Sequence, residues 1–175
     1  MAKSAKYYNT EDFKNYKRQL GKCVPPRSNI LAAANHIQAL FDSKKFTWGF
    51  MGGLAISCLG YKREMPDLHI AYDDKDFERL KAKLESDQRV RLPTGVNPLL
   101  PFKILVWTGP EYKDHRCTAN ASIELDLVPS GSSNTPAPGA LAQNLVLLRL
   151  MTSDARRRRK GPSLAIQERQ WTEKQ

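Results

Sequence analysis

Residues 46–72, FTWGFMGGLAISCLGYKREMPDLHIAY, decide how the chain is read. Phe46 to Met51 is an aromatic and apolar run of the kind that forms a buried strand, and Gly52-Gly53 break it. Leu54 to Leu59 then continue as a short apolar segment of helical character, ending at Gly60. Glycines at a strand-to-helix corner let backbone N–H groups approach a ligand closely, and the start of a helix adds partial positive charge, so the corner suits a phosphate. A basic turn with Lys62 and Arg63 leads to a second strand, Asp67 to Tyr72. Its alternation puts Asp67 and His69 on one face and Leu68 and Ile70 on the other.

Downstream, the repeating pattern is strand then helix. Asp73 and Asp74 end the second strand and can cap a helix in which Phe77, Leu80 and Leu84 recur at helical spacing; capping explains Asp73, Asp74 and Asp76 with fewer assumptions than metal ligation. Arg89 to Pro101 reads as a proline-punctuated loop before a third strand, Phe102 to Trp107, whose apolar density implies burial. A polar connection, Gly109 to Asn120, holds His115 and Cys117, but no third partner stands at a spacing known for zinc or a nucleophile. In the fourth strand, Ser122 to Val128 (SIELDLV), alternation places Glu124 and Asp126 on one face and Ile123, Leu125 and Leu127 on the other. Pro129 to Gly139 has too many breakers for regular structure. A buried helix is expected over Ala140 to Thr152, followed by the basic run Arg156 to Lys160, and Ser163 could cap a last helix with Leu164, Ile166 and Trp171.

Upstream, Thr10 with Glu11 and Asp12 resembles a helix start. Pro25-Pro26 close that element, and Ser28 or Asn29 can cap the next helix, in which Ile30, Ala33, Ala34, Ile37 and Phe41 form an apolar stripe. His36 lies off the stripe, which fits a surface histidine. The 175 residues suffice for one domain with a proper core. The expected division is an N-terminal helical arm over 1–28, an α/β body with a mixed sheet and flanking helices over 29–160, and a C-terminal helix over 161–175.

The order of strand, Gly-Gly, short helix, glycine, arginine and an acidic strand start resembles the nucleotidyltransferase superfamily, in particular its minimal members and fungal proteins with such domains. The resemblance spans roughly residues 46–160. It implies a nucleotidyltransferase-like mixed sheet, with Gly52 and Gly53 beside the nucleotide phosphates and Arg63 as a phosphate contact. It also implies Asp67 and Asp126 as carboxylates for Mg²⁺ or Mn²⁺, the second coming from a neighbouring strand. The chain departs from the pattern at two positions: His69 stands in place of the second aspartate of Asp-x-Asp, and Met65 in place of a threonine. Because Mg²⁺ prefers hard oxygen ligands, His69 would suit Mn²⁺ better or bind no metal, and Glu124, on the side of Asp126, offers a further acid. Arg159 and Lys160 match basic residues that the family turns toward the phosphates.

These features frame the expected function as transfer of a nucleoside monophosphate from an NTP to an unknown hydroxyl acceptor on a protein, a small molecule or RNA. His69 would serve as a modified ligand or a general base. The alternative is a catalytically inactive module of the same fold that binds a nucleotide, RNA, DNA or a protein through its basic surface. Composition permits both: the formal charge is +10 and the pI about 9.7, and lysines and arginines near phosphates gain affinity by counterion release. A solvated charge run remains the plainer account of Arg156 to Lys160. The polar N-terminal stretch has no apolar segment of secretory type, and no apolar run approaches the ~20 residues of a membrane span, so an intracellular, membrane-free protein is expected. The odd cysteine count, 3, argues for reduced thiols over a disulfide framework.

Overall fold

The computed structural model describes residues 6–20, 24–58, 64–132, 135–149 and 167–171. Its centre is a six-stranded mixed sheet in the order β1-β4-β5-β6-β3-β2, built from Tyr7–Tyr8 (β1), Trp48–Met51 (β2), Leu68–Tyr72 (β3), Val90–Pro93 (β4), Phe102–Thr108 (β5) and Ala121–Pro129 (β6). The β3–β6 and β1–β4 pairs are parallel and the others antiparallel. Four α-helices accompany it among the described residues: Thr10–Leu20 (α1), Arg27–Asp42 (α2), Gly52–Cys58 (α3) and Phe77–Ser86 (α4). The chain is therefore an α/β protein with a mixed sheet.

Period-two alternation and the helix stripes meet in one core. From the strands come Trp48, Phe50, Leu68, Ile70, Tyr72, Ile104, Val106, Ile123, Leu125 and Leu127; from α2 and α4 come Ile30, Ala33, Ala34, Ile37, Phe41, Phe77, Leu80 and Leu84. Each of these side chains leaves water for an apolar neighbour, worth ~1.5–3 kcal/mol for a fully buried large aliphatic or aromatic group. Around the end of α2, Phe41 meets Phe46 and Trp48 edge-on at centroid distances of 5.7 Å, and Trp48 meets Phe50 at 5.1 Å. The buried indole satisfies its polar atom by donating to Asp42 at 3.0 Å.

Several expectations are corrected. The strand Val90–Pro93 lies inside the stretch read as a loop, because Val90 and Leu92 turn inward at period two while Arg91 does not. A short strand, Tyr7–Tyr8, ties the N-terminal arm into the sheet; two residues are too few to show a period. Lys6 secures it by donating to the carbonyls of Leu84, Asp87 and Val90 at 2.5–2.8 Å. The cap of α1 is Asn9, whose Oδ1 accepts from Glu11 N–H at 2.9 Å, in place of Thr10. Asn29 caps nothing: it is buried within α2 and donates to Thr108 Oγ1 at 3.0 Å and Ala119 O at 2.9 Å. His36 lies off the apolar stripe but is mostly covered, its Nε2 3.1 Å from Asp87 Oδ1.

The largest correction is at the C-terminal end. A 3-10 turn, Leu141–Asn144, leads into a strand, Leu145–Arg149 (β7), which pairs antiparallel with Gln167–Trp171 (β8). Helices were expected at both places. A short, uniformly apolar run such as Leu145 to Leu148 shows no period that separates a buried helix from a buried strand. Arg159 and Lys160 lie outside the described residues, as does Arg63.

Candidate functional site

The face of the sheet opposite the α2/α4 core carries the polar residues, and the strand register assembles them. Met51 pairs with His69, His69 with Asp126, and Asp126 with Lys103, so one row of directly opposed residues crosses β2, β3, β6 and β5. Opposed residues on one face have Cβ atoms ~4.5–5.5 Å apart, close enough for their side chains to meet. Asp67, just before β3, adds its carboxylate to the row. The His69 Nε2 atom lies 3.2 Å from Asp126 Oδ2 and 3.4 Å from Asp67 Oδ2. One ligand atom from each of Asp67, His69 and Asp126 can be chosen so that all lie within 4.8 Å of one another. The acids that the resemblance paired across distant sequence are thus neighbours in space.

The glycine corner borders this cluster. Gly52 begins α3 with φ +63°, a conformation that side chains rarely adopt, and a Cβ there would stand 3.2 Å from His69 Nδ1. Gly53 is similarly close to Met65, where a Cβ would meet Cγ at 3.3 Å. Glycine at 52 therefore permits the turn and lets the imidazole pack close against the backbone. The strand-break reading of Gly52-Gly53 is matched by the structure, and Met65 is packed in the core rather than facing the cluster as a polar group.

Sequence reasoning missed Lys103. Its Nζ sits among the acids, 3.0 Å from Asp126 Oδ1, 3.2 Å from Asp126 Oδ2, 3.1 Å from Glu124 Oε2 and 3.6 Å from Asp67 Oδ2. The signal was available: in FKILVWT the lysine is the lone charge of an otherwise apolar strand, and a half-buried charge needs a partner. Glu124 does share the face of Asp126, as its alternation requires, but its carboxylate is engaged by Lys103 and by Lys17 of α1. It is not one of the three mutually close residues.

The charges hold one another in place. Hydrogen bonding to Asp126 and then to Asp67, against the cost of burial, raises the His69 pKa to about 9, so the imidazole is protonated at neutral pH. The hydrogen bond from His69, aided by Lys103 and opposed by burial, lowers Asp67. Burial pushes Asp126 upward, but His69 and Lys103 together outweigh it and the net direction is down. For Lys103, burial disfavours the charged form, and the Asp126 and Glu124 carboxylates outweigh that and raise its pKa.

A divalent cation is the group that this donor set invites. Two carboxylate oxygens and an imidazole nitrogen fit an ion that accepts nitrogen, such as Mn²⁺, better than Mg²⁺, which favours all-oxygen shells. The carboxylates fit without change; His69 fits only as the neutral imidazole. The polar loop at Gly109 to Asn120 does not join the site: Cys117 is buried and His115 exposed, and no metal cluster among the described residues includes them. No helix among the described residues is long and apolar enough to cross a membrane.

Comparison of the chain with protein-family models, with curated proteins and with solved structures finds no match.

Proposed function

We propose that the chain binds a nucleoside triphosphate together with a divalent cation on the open face of its sheet, and transfers the nucleoside monophosphate to a hydroxyl acceptor. What supports this most is the meeting of Asp67, His69 and Asp126 beside Gly52. The reaction class comes from the resemblance carried by Gly52-Gly53 and Asp67-Leu68-His69. A bound Mn²⁺ or Mg²⁺ would neutralise phosphate charge and orient the α-phosphorus for in-line attack. Asp67 and Asp126 are the residues that would hold it. Both carboxylates are kept ionised by their cationic neighbours. His69, protonated at neutral pH, is first a hydrogen-bond donor to those carboxylates; it becomes a ligand or a base only on losing its proton. Gly52, with no side chain, lets its backbone lie against the flank of His69, where even a Cβ would stand 3.2 Å from Nδ1.

A second reading has its own observation. Lys103 contacts Asp67, Glu124 and Asp126 at once, so the acids already have an ammonium partner. This favours a non-catalytic module that binds a nucleotide, nucleic acid or a protein through its basic surface. Incubation with α-labelled NTPs and Mn²⁺ separates the two. The enzyme transfers label to an acceptor, and Asp67→Asn and Asp126→Asn each abolish transfer. Nucleotide binding in calorimetry without any label transfer would leave the binding module, and neither binding nor transfer would remove the enzyme and the nucleotide-binding form of the module, leaving only a nucleic-acid or protein partner.

A further inference from the structure

The open-face cluster combines fixed negative charge with an internal cation. Lys103 is the second residue of β5, and its ammonium reaches both carboxylates assigned above to a metal, at 3.0 and 3.6 Å, while it also binds Glu124 at 3.1 Å. A second lysine, Lys17 from α1, engages the other carboxylate oxygen of Glu124. The three carboxylates are thereby largely neutralised within the protein. A divalent ion approaching them meets oxygens that already have ammonium partners and the repulsion of a like charge held a few ångströms away, in surroundings less polar than water. The Lys103 side chain is 31% exposed, so its flexible stem has a route outward. Lys17 is less constrained, with a side chain 50% exposed.

We propose that Lys103 lowers the metal affinity of the site: its ammonium, beside the His69 imidazole at 3.2 and 3.4 Å from the same pair, and a divalent cation are alternative occupants of the Asp67–Asp126 carboxylates. This rests on the metal reading above and adds a mechanism to it. In the absence of a divalent ion the ammonium bridges the carboxylates; binding of the ion requires Lys103 to leave them. Lys103 is thus a competitor for the site and not a ligand. A residue that only stabilised the strand would leave metal affinity unchanged when replaced by another of similar shape. Charge, not shape, decides here.

The test is Mn²⁺ binding followed by electron paramagnetic resonance, on the full chain without nucleotide. Lys103→Met keeps the aliphatic stem and removes the charge, and should bind Mn²⁺ at least about tenfold more tightly than the unsubstituted protein, the factor that corresponds to ~1.4 kcal/mol. Lys103→Arg, which keeps the charge, should bind no more tightly than the unsubstituted protein. Adding Asp126→Asn to Lys103→Met should abolish the gain. Lys103→Gln serves the same purpose should the methionine variant lose its circular dichroism spectrum. If Lys103→Met and Lys103→Gln fold and bind Mn²⁺ no better than the unsubstituted protein, which itself binds, Lys103 is not a competitor and the metal reading stands alone. If none of the proteins binds Mn²⁺, the metal reading falls and the competition falls with it.

Discussion

The two faces of β6 are made by the same backbone and obey different rules. Ile123, Leu125 and Leu127 are fully buried against the α2 and α4 layer; Glu124 and Asp126, one residue away along the strand, stand among His69, Lys17 and Lys103. On the helix side, each residue is fixed by volume, and any apolar group of the right size does. On the open side, identity is fixed by charge, and a shape-preserving change alters what the face can bind. A strand that satisfies both demands at period two brings the site into register as a consequence of folding.

The sharpest way to break that comparison is to disturb each face in turn. Leu125→Ala, which leaves a cavity in the core, should cost about 3 kcal/mol in urea unfolding. Lys17→Ala should cost under ~1 kcal/mol, since the lysine side chain is half exposed, at 50%. Equal losses from the two would mean that the faces are not energetically distinct. Between these lies Gly52→Ala. At φ +63° and with His69 Nδ1 only 3.2 Å from the added Cβ, it should lose ~1–2 kcal/mol, read as a lower thermal midpoint, and should displace the His69 ring. A silent substitution would separate the glycine corner from the cluster.

A smaller effect concerns pH. The His69 pKa is raised in the folded state from 6.5 to about 9, so the stabilisation from its imidazolium is complete below pH 6.5 and is lost as pH rises through about 9. With a side chain 40% exposed, solvent screening discounts the shift to roughly 1 kcal/mol. Urea unfolding between pH 6 and 9.5 should show that decline, and Asp126→Asn should flatten it. A profile that rises over this interval has the wrong sign for the cluster.

The comparison also explains what the sequence made legible. Alternation in SIELDLV and in DLHIAY was enough to put Asp67, His69, Glu124 and Asp126 on definite faces, because a strand buried on one side repeats every second residue. The stripe in α2 was equally plain. What alternation leaves open is which strands are neighbours: the β3–β6 pairing that brings His69 to Asp126 joins residues distant in the chain. Lys103 is not legible in the same way, because a lysine between Phe102 and Ile104 reads as an interruption of an apolar strand until its partners are seen. The strand β7 is not distinguishable from a helix in the sequence, because Leu145 to Leu148 form an unbroken apolar run in which neither period is present to be read. By residue type Ser28 or Asn29 could cap α2, but the burial of Asn29 commits its side chain to Thr108 and Ala119.

The convergence of Asp67, His69 and Asp126 is tested most directly by nuclear magnetic resonance titration of the His69 imidazole, in the unsubstituted protein and in Asp126→Asn. The geometry predicts a midpoint near 9 that falls toward 6.5 when the carboxylate is removed. A midpoint near 6.5 that ignores the Asp126 substitution would show that the three residues do not share a site.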